Sequence, residues 1–298
     1  MSYNDEISGI INITSNQVSS TNNSQFILNV SPALKLTKGI EIALDSCSIN
    51  NTVSNINAQY NNISFSYINC ASVTRTVNLL QGATGGMLQY TDINGILQTA
   101  MTAYGDYLVN TSTGQNVYFL SVTANPLYSN VLLTANLVPT AAEISGQTGI
   151  GVGLSNPASM SLPGSDSTMQ FVIPSGGLTT VFGFPAGNYP SSPSSSNYFA
   201  TSPNLPNITP VTSLSLTCSI AAPSRFNNIS NYLATIPITV GYNSTQTYVA
   251  QNRLWNKTLE GTFDSLTLNI CDQNGNPLNN TLLSSFGNTF IIVMRVSK

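Results

Sequence analysis

The 298-residue sequence predicts an all-β sandwich with additional strands and loops and one short helix. Three observations predict it. Short segments alternate apolar and polar residues at the two-residue period of a strand. Asn, Gly, Pro and Ser bound those segments, as turns require. Only one stretch switches to the 3.6-residue period of a helix. Strands without alternating helices argue against a βαβ fold, and all-β units of this length occur as one domain. Residues 1–298 therefore read as one domain, with an inserted or elaborated loop region at 139–212.

The elements follow in order. ISGIINITS (7–15), SQFILNVSP (24–32) and GIEIALDSCSI (39–49) read as strands, the last with Ile40, Ile42 and Leu44 on one face. NNISFSYIN (61–69) aligns Ile63, Phe65 and Tyr67, and VTRTVNLL (73–80) follows closely enough to pair with it as a hairpin. In residues 85–108 the apolar positions are Ile93, Ile96, Leu97, Ala100, Met101 and Tyr104, the spacing of an amphipathic helix. Thr91 or Asp92 is placed to cap it and Gly105 to end it. Gly95 inside it costs about 1 kcal/mol.

Strands resume at 116–123, 128–138 and 168–174. Residues 139–168, around GQTGIGVG, are rich in Gly, Ser and Pro and read as loop. Residues 177–190 read as a structured loop with Phe182, Phe184 and Tyr189 packing inward. SSPSSSN (191–197) reads as a mobile surface loop. Strands at 213–221, 233–240, 265–271 and 289–297 complete the set.

Composition narrows the function. Charged residues make up 6% of the chain, against about 25% in a typical soluble protein. Asn, Ser, Thr and Gln supply the polarity instead. With a net charge of -3, copies of such a chain repel one another weakly, which suits burial in an assembly. The Lys and Arg residues form no run that could neutralise phosphates, so nucleic acid is not expected as a partner. No window of about 18 apolar residues predicts a membrane span. The start, MSYNDEISG, lacks the basic and apolar regions of a signal peptide, so secretory export is not expected.

Catalytic and metal chemistry find little support. There is no His, so Ser–His and Cys–His nucleophiles are excluded within one chain. Cys47, Cys70, Cys218 and Cys271 lie far apart and form no C-x-x-C, so free buried thiols are expected and a zinc site is not. Two carboxylate pairs, Asp5/Glu6 and Glu260/Asp264, could in principle serve as a glycosidase dyad. GATGGM (82–87) lacks the Lys of a phosphate-binding loop. The sequons at Asn12, Asn29, Asn62 and Asn243 follow from the abundance of Asn, Ser and Thr, and glycosylation is not expected. Trp255, the single Trp, reads as a packing anchor before a sugar-binding residue. No catalytic, metal or cofactor residue is assigned.

The stretch SLTLNICDQNGNPL (265–278) poses a sharper question. Counted from Asp272 as a calcium loop, position six is Pro277 and position twelve is Leu283. An EF-hand needs Gly and a bidentate Glu there. The Asn274–Gly275 pair reads instead as a turn after a strand.

Four segments in order carry a resemblance: TDINGILQTAM (91–101), NVYFLSVTANPLYSNVLLTANLVPT (116–140), VFGFPAGNYP (181–190) and LWNKTLEGTFDSLTLNICDQNGNPL (254–278). A closing hydrophobic strand follows. This order resembles the minor capsid, or penton, proteins of virophages and polinton-like viruses, over roughly residues 85–298. Leu266 to Ile270, Asp272, Gly275, Asn276 and Leu278 match the strand and turn that close the jelly roll in that family. The resemblance implies a single jelly roll, homopentamers at icosahedral vertices, and neighbours that are trimeric capsomers of a double jelly-roll major capsid protein. It implies a structural virion protein, assembled inside the infected host cell, and not an enzyme. The chain departs from the family in its low charge and in the region 139–168. The competing class is a carbohydrate- or receptor-binding jelly roll, such as a spike or fibre head.

Overall fold

Apolar alternation near the two ends of the chain builds two antiparallel sheets. The N-terminal strands are β1 (Gly9–Thr14), β2 (Gln25–Leu36) and β3 (Ile40–Asn51). The C-terminal strands are β4 (Ser213–Cys218), β5 (Tyr232–Pro237), β6 (Ser244–Val249), β7 (Gly261–Cys271) and β8 (Thr289–Val296). One sheet has the order β1–β8–β3–β6, with the short strand Asn256–Lys257 also pairing β3 beside β6, and the other has the order β5–β4–β7–β2. Each sheet takes strands from both ends of the chain, which is the jelly-roll interleaving of eight strands. The computed structural model describes residues 7–17, 24–81, 85–125, 127, 129–223, 231–278 and 287–297.

The sandwich core follows from the alternation. Phe26 on β2 meets Phe290 on β8 edge to face, with ring centroids 5.1 Å apart. Ile13, Ile42, Leu44, Leu216, Leu266, Leu268, Ile270 and Ile292 are buried with them. Ile42 and Leu44 share the inward face of β3, as their spacing predicts, while Ile40 is half-buried. Between Leu44 and Ser46 the register with β8 slips, so Asp45 is an extra residue. Such a bulge re-aims a side chain: the Asp45 carbonyl accepts from Ala250 N–H at 2.8 Å, and its carboxylate meets Arg253.

Between β3 and β4 lies a second compact unit. The chain divides into residues 1–54 with 211–298, and residues 55–210. The sequence reading of 1–298 as one domain with elaboration at 139–212 did not mark this division, in which the second unit begins at residue 55. Periodicity reports local structure and not which sheet a strand joins, so the hairpin at 61–80 could not be told from a sandwich hairpin.

The second unit has its own core. Ser64–Ile68 pairs with Thr74–Asn78 as the expected hairpin, and with Gln170–Ile173 on its other side. Leu120–Asn125, Asn130–Ala135 and Tyr198–Thr201 form a three-stranded sheet. α1 (Tyr90–Tyr104) packs on Leu120–Asn125 and buries Ile93, Leu97 and Met101. Gly105 ends it at φ +74°, a conformation that favours glycine. Its N-cap is Gln89, not Thr91 or Asp92. Asp92 sits three residues in and accepts from Gln89 N–H at 2.7 Å.

Two further short helices exceed the one expected. α2 (Ala141–Gly146) lies in the stretch read as loop, and α3 (Gly177–Phe182) in the structured loop. Thr140 and Glu143 form a capping box at α2. Gly151 passes so close that a Cβ there would lie 2.5 Å from the Glu143 backbone. Phe182 and Phe184 are buried as expected, and Phe184 stacks edge to face on Tyr189 at 4.9 Å. SSPSSSN is tied to Thr168 at Ser194: Thr168 N–H donates to Ser194 C=O at 3.0 Å, and Ser194 N–H to the Thr168 side-chain Oγ1 at 3.0 Å.

Leu268 is fully buried at the centre of the sandwich. Leu268→Ala should lower unfolding stability by about 2–5 kcal/mol, and Leu268→Asp should abolish folding by burying an unpaired charge. Denaturant titration checks the first and soluble yield the second.

Candidate functional site

Charge is so scarce that its placement marks where the sandwich meets anything polar. Of the ten charged residues described in this unit, nine lie toward one end: Lys35, Lys38, Glu41, Asp45, Arg253, Lys257, Glu260, Asp264 and Arg295. The register brings them there, because β2 and β8 end where β3 and β7 begin, with Lys35 opposite Thr262 and Glu41 opposite Arg295. Glu41 and Arg295 form a cross-strand ion pair at 2.9 Å. The Arg295 guanidinium lies over the Trp255 ring, 4.1 Å from its centroid. Arg253 donates twice to Asp45 Oδ1, at 2.9 and 2.6 Å. Trp255 is thus an anchor for the segment beside β3, the role the sequence assigned first.

The tenth charge is Asp272, in the turn after β7. It is buried, and its carboxylate accepts from Asn274 N–H at 2.8 Å, Asn276 N–H at 2.9 Å and the Asn276 amide at 3.0 Å. Gly275 N–H donates to the Asp272 carbonyl at 3.0 Å, and Gly275 takes φ +82°. Only Gly275 is left-handed, so the stretch is a turn with Asp at its first position and Gly at its fourth. Leu278 then returns to the core, its N–H donating to Ile270 C=O at 3.2 Å. Both Asp272 carboxylate oxygens are thus engaged within the turn that closes the strand.

In the second unit the charged residues are Arg75, Asp92, Asp106, Glu143 and Asp166. Buried Asp106 accepts from Tyr67 Oη at 2.8 Å and the Asn69 amide at 3.0 Å, with Arg75 at 3.5 Å. Arg75 also lies over the Tyr104 ring at 4.8 Å. Asp92 and Glu143 cap helices. The Thr140 backbone N–H holds the Glu143 carboxyl below the usual range. The hydrogen bond to Glu143 pushes the Asp166 carboxyl up.

The residues weighed for chemistry do not converge. Glu260 and Asp264 are both exposed on strand and loop surface; Asp5 and Glu6 lie outside the described residues. Among the described residues no group of three metal-ligating side chains comes together. All four cysteines are free thiols. Burial pushes Cys47 and Cys70 up to about 12 and Cys218 and Cys271 up to about 11, which leaves none as a thiolate nucleophile near neutrality. Asn62 is buried, donating to Asn55 C=O at 2.9 Å and accepting from Asn57 N–H at 2.8 Å, whereas Asn12, Asn29 and Asn243 are exposed. No described helix is long and apolar enough to cross a membrane.

What sequence reading missed is at the sheet edges. β1 flanks one side of a sheet, and β6 flanks the other beside the short strand Asn256–Lys257; β1 and β6 themselves carry no charged residue, as GIINIT and STQTYV show. They expose Ile10 (67%) and Val249 (65%). Natural edge strands are usually blunted by charge, Pro or a covering loop.

No family model matches the chain, and no curated protein matches it. Among solved structures, the mavirus penton protein is similar over 97% of this chain and 98% of its own, at 12% identity and a TM-score of 0.47. A chain of the Sputnik virophage is similar over 91% of this chain and 92% of its own, at 12% identity and a TM-score of 0.36.

The Glu143–Asp166 pair makes the α2 turn pH-dependent. A raised Asp166 pKa stabilises the fold below its unfolded value, and that gain fades as pH rises through the folded one. The lowered Glu143 pKa acts oppositely, and its contribution fades only at lower pH. Amide protection over 141–151, corrected for intrinsic exchange, should therefore peak in mild acid and weaken toward neutrality. Asp166→Asn should remove the neutral-side weakening.

Proposed function

We propose that this chain is a structural virion protein: a penton, or minor capsid, protein standing in five copies at the icosahedral vertices of a virophage-like or polinton-like capsid. Its neighbours are copies of itself and capsomers of a double jelly-roll major capsid protein. It acts in the virion, assembled inside the infected host cell, and it catalyses nothing.

The observation that carries this reading is the pair of uncharged, apolar-bearing edges, β1 and β6, on a jelly-roll sheet. An edge strand offers unpaired N–H and C=O groups to another chain. Here neither side-chain charge nor Pro opposes such pairing on either strand. Contacts made by one edge against a different surface of the next copy are heterologous, and around a five-fold axis they close into a ring. Low charge lowers the desolvation cost of those contacts. The order of the sequence motifs points the same way.

Light scattering behind size exclusion, over a range of protein and salt concentrations, should give five times the 31.6 kDa chain mass, little changed by salt. Ile10→Lys with Val249→Lys should return it to one chain mass while unfolding stability stays within about 0.5 kcal/mol, as for exposed sites. A three-fold mass that survives both substitutions would overturn the reading in favour of a spike or fibre head.

A further inference from the structure

The second unit holds a cavity of about 460 Å³ where the chain enters α1, a size that accommodates a bound group. Met87, Leu88, Ala124 and Ile208 give it apolar walls. Among the described residues that line it Asp92 alone is charged, and Thr91 and Thr209 stand beside the same space. Asp92 is exposed, and its Oδ2 accepts from Gln89 N–H at 2.7 Å. The helix N-terminus is thus already answered by a carboxylate, and a second anion would be repelled there. A carboxylate has acceptor capacity beyond that one bond. A cation on an apolar stem matches both the walls and the charge.

The chain itself carries such groups. Arg75, Arg253 and Arg295 are each held in an ion pair. Lys35, Lys38 and Lys257 are exposed and have no ion-pair partner among the described residues. Lys35 lies within β2 opposite Thr262, and Lys257 lies in the short strand opposite Glu41. Lys38 alone stands on a turn: Ile40 N–H donates to Thr37 C=O at 3.2 Å, and Gly39 takes φ +87°. A turn tip can enter a concave site that a residue within a strand cannot.

We propose that this cavity receives the Lys38 side chain of a second copy. The proposal rests on the reading of the chain as self-assembling, and names one contact of that assembly. The four-carbon stem lies along the apolar walls. The ammonium donates to the Asp92 carboxylate and to the Thr91 and Thr209 hydroxyls. Turn and cavity are different surfaces, so the contact is heterologous, as a closed ring requires. A charge pair of this kind fixes which surfaces meet more than how tightly they hold. The uncharged edges supply the affinity, so the mass of the assembly still changes little with salt.

The test is carbodiimide coupling of the full chain at concentrations where it self-associates, with some copies labelled with heavy nitrogen. The reagent joins a carboxylate to an amine in contact with it, forming an amide with loss of water. Peptide mass spectrometry should find Asp92 joined to Lys38, including pairs with one labelled and one unlabelled peptide. Lys38→Met, which keeps the stem, and Asp92→Asn, which keeps an acceptor for Gln89 N–H, should each abolish the link. A five-fold mass without this link overturns the contact and leaves the vertex reading standing. A link found only between peptides of the same label, or from Asp92 to Lys35 or Lys257 instead, also overturns it. A mixed-label link in a three-fold assembly supports the contact and overturns the five-copy reading. A single chain mass at every concentration overturns both.

Discussion

The sandwich exists only when the last strand of the chain lies between the first and the third. β8 pairs with β1 from Gly9↔Met294 to Thr14↔Thr289, and with β3 from Val296↔Ile40 to Thr289↔Ser48. The other sheet repeats the rule, with β7 held between β4 and β2. Neither sheet can be completed from one end of the chain alone. Such non-local pairing makes folding slow, because loop closure precedes the contacts that reward it. It also explains how 55–210 can be carried between β3 and β4. The entropic cost of a longer connection grows only logarithmically, and this connection has a core of its own.

Scarcity of charge shapes what remains. Where a carboxyl group is buried, a specific task accompanies it: Asp106 gathers Tyr67 and Asn69, and Asp272 shapes the turn after β7. Toward one end of the sandwich, Glu41–Arg295 and Asp45–Arg253 clamp the segment that includes Trp255. The edges β1 and β6 are left uncharged. A surface of amides and hydroxyls around apolar edges repels its copies little.

Much of this was legible in the sequence. Alternation located seven of the eight sandwich strands, and the helical period located α1 with Gly105 at its end. β6 was missed because STQTYV reads as polar: its inward residue is Gln246, which donates to Pro237 C=O and accepts from Thr239 N–H at 3.1 Å. A buried amide satisfied by backbone leaves no apolar signal. α2 was missed because Gly and Ser dominate its neighbourhood, although Thr140 and Glu143 had the spacing of a capping box. The boundary at residue 55 had no local signal, since strands of both units alternate alike. At the turn, the sequence marked the Asn274–Gly275 pair, and the left-handed residue is Gly275 alone. The edges were illegible because strand order is a property of pairing and not of any segment.

Native-state hydrogen exchange of the intact chain tests the keystone role of β8 most directly. Amides of β8 should exchange only through the opening that also releases β3 and β7, with one shared free energy and one shared denaturant dependence. Residues 55–210 should open with a free energy of their own. Early exchange of β8 while β3 and β7 stay protected would contradict the account, because the sandwich would then persist without the strand that joins its two ends.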